Sequence, residues 1–181
     1  MNEIEKPPEY YKSLWKEKFE KGKFIEVIEI ISDLSRLYPE AREHLYEIID
    51  CCNEGLNLFP EDMELHYLLA MCFVHLKKYD SADIVAKKAL RLNPKYVKFY
   101  NLLGYLSIAD FEKETAINIY KKLMELVPEE ENNASYNIGF SHFFYGQIEE
   151  AKKIWKDLLI KYPEDKRILY SLDLLEKNEE K

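Results

Sequence analysis

The chain has 181 residues, of which 47% are hydrophobic and 33% charged, and its formal net charge is −8. This balance excludes a disordered chain, and the length suits one substantial domain or a short array of stacked units. The acidic net charge repels phosphate backbones, so we expect no nucleic-acid partner.

The beginning of the chain and its cysteines predict the compartment. Residues 1–7 read as a short tail that lacks the basic and apolar segments of a signal peptide, and no apolar run is long enough to span a membrane. Cys51, Cys52 and Cys72 are odd in number and two of them are adjacent, which suits a reducing environment. We therefore expect a cytoplasmic protein with no membrane partner.

The section at 8–62 predicts three helices. Residues near Gly22 and Pro39 read like the second half of a helical hairpin, with the glycine in the turn and the proline as terminator. Only one further long helix fits between Pro39 and Pro60. This section is the divergent part of the chain.

These three helices can be paired in two ways. If first and second helices alternate strictly, 24–38 and 41–58 form a divergent hairpin and 8–20 is an extra leading helix, which is the interpretation we favour. The alternative is a conventional first repeat at 8–39, followed by an inserted helix. The pattern leaves both interpretations open.

From residue 60 onward, prolines mark a regular period. Pro60, Pro94, Pro128 and Pro163 lie 34, 34 and 35 residues apart. Such a period is typical of stacked helical hairpins, in which each proline ends a second helix. Three rows of sequence align within it, at 63–96, 97–131 and 132–165.

Two columns of small residues recur in these rows. They predict where the two helices of a hairpin cross, because close approach requires small side chains. The larger Tyr120 and Trp155 should fill the space between one hairpin and the next, where the first row has Ala86. The two columns are Ala70/Gly104/Gly139 and Ala82/Ala116/Ala151.

At these columns the chain resembles the tetratricopeptide repeat family over 63–165. It departs from the family pattern at Ser107 and His142, where an aromatic residue is usual, and at Lys113, so we expect a looser middle hairpin. The resemblance implies an all-α, right-handed solenoid of antiparallel helical hairpins, about ten helices in one structural domain. The segment 166–181 reads as a capping helix.

The resemblance also implies a binding site on the concave face, which the first helix of each hairpin lines. Tyrosine tolerates a half-exposed site, and an asparagine in a groove can hydrogen-bond to a bound peptide backbone. Phe143 and Phe144 suit packing better. The candidate peptide-binding residues are Tyr67, Met71, Lys98, Asn101, Tyr105, Asn133, Tyr136, Asn137, Phe140, Arg167 and Tyr170.

Some members of this family clamp the carboxylates of chaperone tails with Lys, Asn and Arg side chains. Asn137 and Arg167 fit such a set. Asn101, however, stands where a Lys is expected, Tyr105 where an Asn is expected and Ser171 where an Arg is expected. Most of the required positive charge is missing, so a co-chaperone role is the weaker alternative.

The sequence shows no catalytic motif. Its four histidines are scattered, and it has neither a metal-binding nor a phosphate-binding signature, although Cys72 and His75 could share a helix face. We therefore expect no enzyme, no cofactor and no metal site. The predicted function is a non-catalytic adaptor or scaffold for a protein or peptide partner. Self-association, as a structural subunit or homo-oligomer, stays open as an alternative.

Overall fold

The computed structural model of this chain describes residues 7–39, 42–110 and 112–179, and all regular structure in these ranges is helical. The prediction of an all-α fold built from helical repeats is confirmed. Within these ranges there are ten α-helices and one 3₁₀ turn, Pro128–Glu130. The helices are α1 (Pro8–Glu20), α2 (Phe24–Leu37), α3 (Glu43–Leu58), α4 (Met63–His75), α5 (Tyr79–Leu92), α6 (Val97–Ala109), α7 (Lys113–Leu126), α8 (Glu131–Phe144), α9 (Ile148–Lys161) and α10 (Lys166–Glu179).

The helices group into two compact units, unit 1 (1–94) and unit 2 (95–181). Unit 1 contains α1 to α5, and unit 2 contains α6 to α10. In a repeat protein each hairpin contacts only its neighbours, so a boundary between two repeats is physically reasonable. One continuous domain with a right-handed twist stays a prediction.

Four turns inside the hairpins share one hydrogen bond. The backbone N–H three residues past the helix end donates to a carbonyl in the last turn, which is the bond that reverses a chain tightly after a helix. It joins α1 to α2, α4 to α5, α6 to α7 and α8 to α9. The pairs are Lys23 to Lys18, Lys78 to Phe73, Glu112 to Ser107 and Gln147 to His142, at 2.8 to 2.9 Å. We call α1, α4, α6 and α8 first helices, together with α10, and α2, α5, α7 and α9 second helices.

The amino-terminal helices pair differently from the interpretation we favoured. Helix α2 packs against α1 and α4, and α3 packs against α4. This packing is that of the alternative, a first repeat followed by an inserted helix, and not of a hairpin between 24–38 and 41–58. Strict alternation does not hold because α2 and α3 both end like second helices. The N–H groups of Tyr38 and Phe59 donate to carbonyls four residues back, and a proline follows each.

The hydrophobic core of unit 1 contains buried residues from each of the helices α1 to α4. Trp15 of α1, Ile31 of α2, Ile48 of α3 and Leu68 of α4 are almost completely buried in one hydrophobic cluster. Asp62 caps the start of α4, because its carboxylate accepts the backbone N–H groups of Glu64 and Leu65 at 3.0 Å. Burial on one face and a cap at the start together explain why α4 begins where it does.

In unit 2, glycines face aromatic rings where the helices cross. A methyl group added to Gly104 would overlap the ring of Tyr120, and one added to Gly139 would overlap Trp155. Trp155 also donates its indole N–H to the carbonyl of Tyr136 at 3.1 Å. These contacts lie inside α6–α7 and α8–α9, so the expectation that the rings fill the space between hairpins is wrong for their closest contacts.

Two of the departures from the repeat pattern meet in a polar cluster. The Lys113 ammonium donates to Oε1 of Gln147 at 3.0 Å, and Nδ1 of His142 lies 2.7 Å from the same oxygen. Tyr145, two residues before Gln147, donates its hydroxyl to the carbonyl of Ile108 at 3.0 Å. Hydrogen bonds between α6–α7 and α8–α9 thus replace the usual apolar contact at this end.

Candidate functional site

Eight of the candidate residues lie on one side of three first helices in unit 2. We call this side the first-helix face of unit 2. Helical spacing places the residues there, since positions three or four apart share a side of an α-helix. The face comprises Asn101 and Tyr105 of α6, Asn133, Tyr136, Asn137 and Phe140 of α8, and Arg167 and Tyr170 of α10.

Hydrogen bonds join the three helices across this face. Asn137 donates its side-chain amide to Oδ1 of Asn101 at 3.3 Å, which links α8 to α6. Arg167 donates to Oδ1 of Asn133 at 2.8 Å, and the hydroxyls of Tyr136 and Ser171 lie 3.0 Å apart. The structure therefore brings these predicted residues together and fixes their mutual positions.

Arg167 is the cation of the face, and an acidic neighbour neutralises it. Its Nε and Nη2 donate to the two carboxylate oxygens of Asp165 at 3.1 and 2.6 Å. This bidentate bond is the main reason why the pKa of Asp165 lies well below its usual range. The guanidinium carbon also lies 5.0 Å from the ring centre of Tyr136.

The aromatic residues of the face divide into anchored and open ones. Tyr136 is half-buried and stacks on Trp155, with ring centres 5.6 Å apart. Tyr105 and Tyr170 expose 54% and 67% of their surface, and Phe140 exposes 39%. The open rings of Tyr105, Phe140 and Tyr170 are accessible to a partner, whereas the anchored ring of Tyr136 packs against α9.

Phe143 and Phe144 have different environments. Phe143 is half-buried and its ring centre lies 6.1 Å from that of Trp155, as a packing residue should be. Phe144 is 48% exposed, so the expectation that it packs in the core is wrong.

Three other candidate residues lie elsewhere. Tyr67 and Met71 belong to α4 of unit 1. Tyr67 is half-buried, which raises its pKa, and Met71 packs against the unit 1 core. Lys98 of unit 2 is partly buried, with its ammonium 5.7 Å from the ring centre of Tyr96. A single groove that includes Tyr67 and Met71 stays a prediction.

Sequence reasoning missed Asp165, which holds Arg167 and also caps α10. Its Oδ1 accepts the backbone N–H of Arg167 at 2.9 Å, and its Oδ2 accepts the side-chain amide of Asn132 at 2.9 Å. An aspartate directly before a predicted helix is a recognisable capping signal. That signal indicates the helix start, but it does not indicate that the same carboxylate binds an arginine.

No group of three or more His, Cys, Asp or Glu side chains converges for a metal in the described ranges. Cys72 is buried, and this burial raises its pKa to about 12, so its thiol stays protonated. His75 instead places Nε2 at 3.2 Å from the hydroxyl of Ser32. None of the helices that the structure describes is both long and apolar enough to cross a membrane.

The chain is similar to proteins of one repeat family. Residues 64–96 and 133–165 match models described as tetratricopeptide repeat. Among curated proteins, BBSome complex member BBS4 of Bos taurus is 35% identical over 81 residues, which cover 45% of this chain and 15% of BBS4. The chain thus spans a small part of the length of this relative.

Solved structures extend the similarity in fold to most of the chain. TTC0263, a thermophilic TPR protein of Thermus thermophilus, has a TM-score of 0.59 and 17% identity, covering 92% of this chain and 97% of that one. A tetratricopeptide repeat protein of Parabacteroides merdae has a TM-score of 0.62 and 16% identity, with 91% and 70% covered. At these identities the likeness concerns the fold.

Proposed function

We propose a function from the premise that this chain belongs to the tetratricopeptide repeat family. The chain is a non-catalytic scaffold for protein interaction, and it binds a peptide or helix of a partner protein on the first-helix face of unit 2. The relative BBS4 is by its name a member of a protein complex, which supports a role in assembly.

The observation that carries this proposal is the row of open aromatic rings beside a pair of amides. Tyr105, Phe140 and Tyr170 expose large apolar area, which is the kind of surface that a partner side chain covers with a gain in free energy. Tyrosine is suited to this role because it brings contact area with few rotatable bonds.

The two asparagines complement a peptide backbone. Asn137 uses an N–H and Asn101 uses its carbonyl in their mutual bond. The Asn101 amino group and the Asn137 carbonyl then offer one donor and one acceptor, which an extended peptide can meet with its own carbonyl and N–H. Such contacts do not depend on the partner's side chains.

The charge of the face favours an apolar or aromatic partner segment over an acidic one. Arg167 already binds Asp165 bidentately, so its charge is not available for an incoming carboxylate. This is the physical reason against the co-chaperone alternative. A cytoplasmic location and the absence of nucleic-acid and membrane partners stay predictions.

The test is affinity capture from an extract of the source organism, with bound proteins identified by mass spectrometry. The face variant is Tyr105→Ala, Phe140→Ala and Tyr170→Ala. The matched control is Ile84→Ala, Leu92→Ala and Ile160→Ala, which removes exposed apolar side chains from second helices. We expect a captured protein to be lost by the face variant and kept by the control.

Circular dichroism of all three proteins separates lost binding from lost folding. If the folded face variant captures the same protein as the native chain, binding on this face is wrong. Loss with both variants would show that exposed apolar area in general carries the capture, which also contradicts the proposal.

A second candidate function is self-association, which exposed apolar residues at the end of α3 favour. Leu58 and Phe59 expose 75% and 64% of their surface. Light scattering over a range of concentrations tests this candidate. A concentration-independent dimer that Leu58→Glu and Phe59→Glu convert to a monomer would support it over the peptide-binding scaffold.

A further inference from the structure

A cavity of about 240 Å³ lies inside unit 1, where the end of α2, the start of α3 and the end of α4 meet. Leu34 and Leu45, both buried, form part of its wall. Arg42 and Lys77 also line it, and both side chains are exposed to solvent. The cavity thus combines apolar walls with two cations.

Among the described residues, one polar group at this cavity, the Ser35 hydroxyl, is buried without a hydrogen-bond partner. The cations of Arg42 and Lys77 lie on the exposed rim of the same cavity. His75 also lines the cavity, but burial lowers its pKa, so its ring adds polarity without charge near neutral pH. A buried hydroxyl without a partner is unfavourable unless something else binds it.

Lys77 occupies a backbone position that suits glycine. Its φ is +58°, in the left-handed region, where a residue with a Cβ is strained. The same turn position after α1 and α8 is occupied by Gly22 and Gly146, with φ of +67° and +75°. Two of these turns therefore use the unstrained residue, and the turn beside the cavity does not.

The dipole of α4 alone does not account for a lysine at this position. A cation near the end of a helix is favourable, but Lys78, the next residue, already provides one without a positive φ. Strain at a residue that lines a cavity is instead typical of a position retained for binding.

We propose that this cavity binds a small carboxylate that carries an apolar arm. Arg42 and Lys77 bind the carboxylate, since a guanidinium matches its two oxygens and an ammonium adds a point charge. The Ser35 hydroxyl donates a further hydrogen bond, and the arm lies against Leu34 and Leu45. A free organic acid and the carboxyl end of a peptide chain share this chemistry.

The test is calorimetric titration of the full chain with three probes. N-acetyl-leucine carries the carboxylate and a branched arm, N-acetyl-leucinamide has the same arm without the charge, and hexanoate is a free acid without a peptide bond. We expect at least one carboxylate to bind, and the amide to bind about tenfold more weakly or worse than N-acetyl-leucine. Binding of N-acetyl-leucine alone indicates a peptide end, and binding of hexanoate indicates free acids.

A charge variant tests the residues. Arg42→Gln with Lys77→Asn removes both cations, and asparagine tolerates the left-handed conformation. We expect it to weaken carboxylate binding about tenfold or more. The control, Lys88→Gln with Arg91→Gln, makes the same change in net charge on exposed positions of α5 and should bind like the native chain.

Three outcomes would overturn the proposal. The first is no binding of either carboxylate to the native chain, and the second is equal binding of the acid and the amide. The third is equal affinity of the charge variant and the control, since general electrostatic attraction would then explain any binding. Thermal unfolding of both variants shows whether they fold like the native chain.

Discussion

Unit 1 and unit 2 form the same helix crossing with different pairs of residues. In α4–α5 the positions that align with these pairs are Ala70 and Ala86, both fully buried. In unit 2 the same two positions hold a glycine and an aromatic ring in contact, Gly104 with Tyr120 and Gly139 with Trp155. The comparison indicates that the crossing constrains the combined volume of the pair more than either residue alone.

The largest expected effect comes from removing one ring. Trp155→Ala should lower the free energy of unfolding by about 3–5 kcal/mol, because a cavity opens opposite Gly139 and an indole hydrogen bond is lost. Urea unfolding followed by circular dichroism measures this. The effect should be larger than that of any exposed substitution on the same helix.

The double variant Gly139→Ala with Trp155→Ala has two alanines at this crossing, as α4–α5 has with Ala70 and Ala86. In the native chain, Gly139→Ala should cost about 2 kcal/mol through overlap with Trp155. In the Trp155→Ala background the same change should stabilise by about 1 kcal/mol, since alanine is the better helix former. An identical cost of Gly139→Ala in both backgrounds would refute the volume explanation.

Acid should lower the stability of both units. Protonation of Asp165 in unit 2 should cost more stability than protonation of Glu26 in unit 1. The bonds from Lys18 and Lys23 lower the pKa of Glu26 in unit 1 to about 2, and the bond from Arg167 lowers that of Asp165 in unit 2. In both cases the folded pKa lies below the unfolded value of about 4, so the stabilisation is present above that pH and is lost as the pH falls. Asp165 is better shielded from water, with 10% of its side chain exposed against 39% for Glu26.

The measurement is the free energy of unfolding between pH 5 and pH 2.5. With Asp165→Asn, the decrease of this free energy over the pH range should be smaller by about 1 kcal/mol than in the native chain. Glu26→Gln should reduce the decrease by less. A steeper dependence on Glu26 than on Asp165 would show that exposure does not decide the contribution of these ion pairs.

The smallest expected effect concerns the turn after α4, where Lys77 occupies the position that Gly146 occupies after α8. Lys77→Gly should raise the stability of the chain by about 0.5 kcal/mol, because relief of the left-handed strain outweighs the greater freedom of the unfolded chain. Gly146→Ala in the equivalent turn of unit 2 should act in the opposite direction. Thermal unfolding measures both, and a destabilising Lys77→Gly would indicate that this lysine has a structural role in its own turn.

The repeating part of the fold could be predicted because its determinants are local. The prolines that end second helices recur at a fixed period and the small residues repeat in three rows, so the hairpins α4–α5, α6–α7 and α8–α9 could be predicted from spacing. The pairing of α1, α2 and α3 was not, since α2 and α3 carry the same terminal signal. Which of them follows α1 in a hairpin depends on long-range packing that no local pattern encodes.

The candidate site divides in the same way. Helical spacing predicted that Asn101, Asn137, Tyr136 and Arg167 lie on first helices. In the structure hydrogen bonds link Asn137 to Asn101, Arg167 to Asn133 and Tyr136 to Ser171. The neutralisation of Arg167 by Asp165 could not be predicted, because an aspartate at a helix start is sufficiently explained as a cap. The contact of the Asp165 carboxylate with the Arg167 guanidinium depends on the positions of both side chains in the folded chain.

The sequence by itself determined the helices, their ends and the column of small residues on the first helices, because these follow from residue size, proline geometry and the period of the helix. Only the tertiary structure decided that the large rings fill their own hairpins, that Arg167 is neutralised, and that Arg42 and Lys77 face one cavity. These features join residues distant in the chain, and the free energy of such contacts depends on geometry that spacing does not specify.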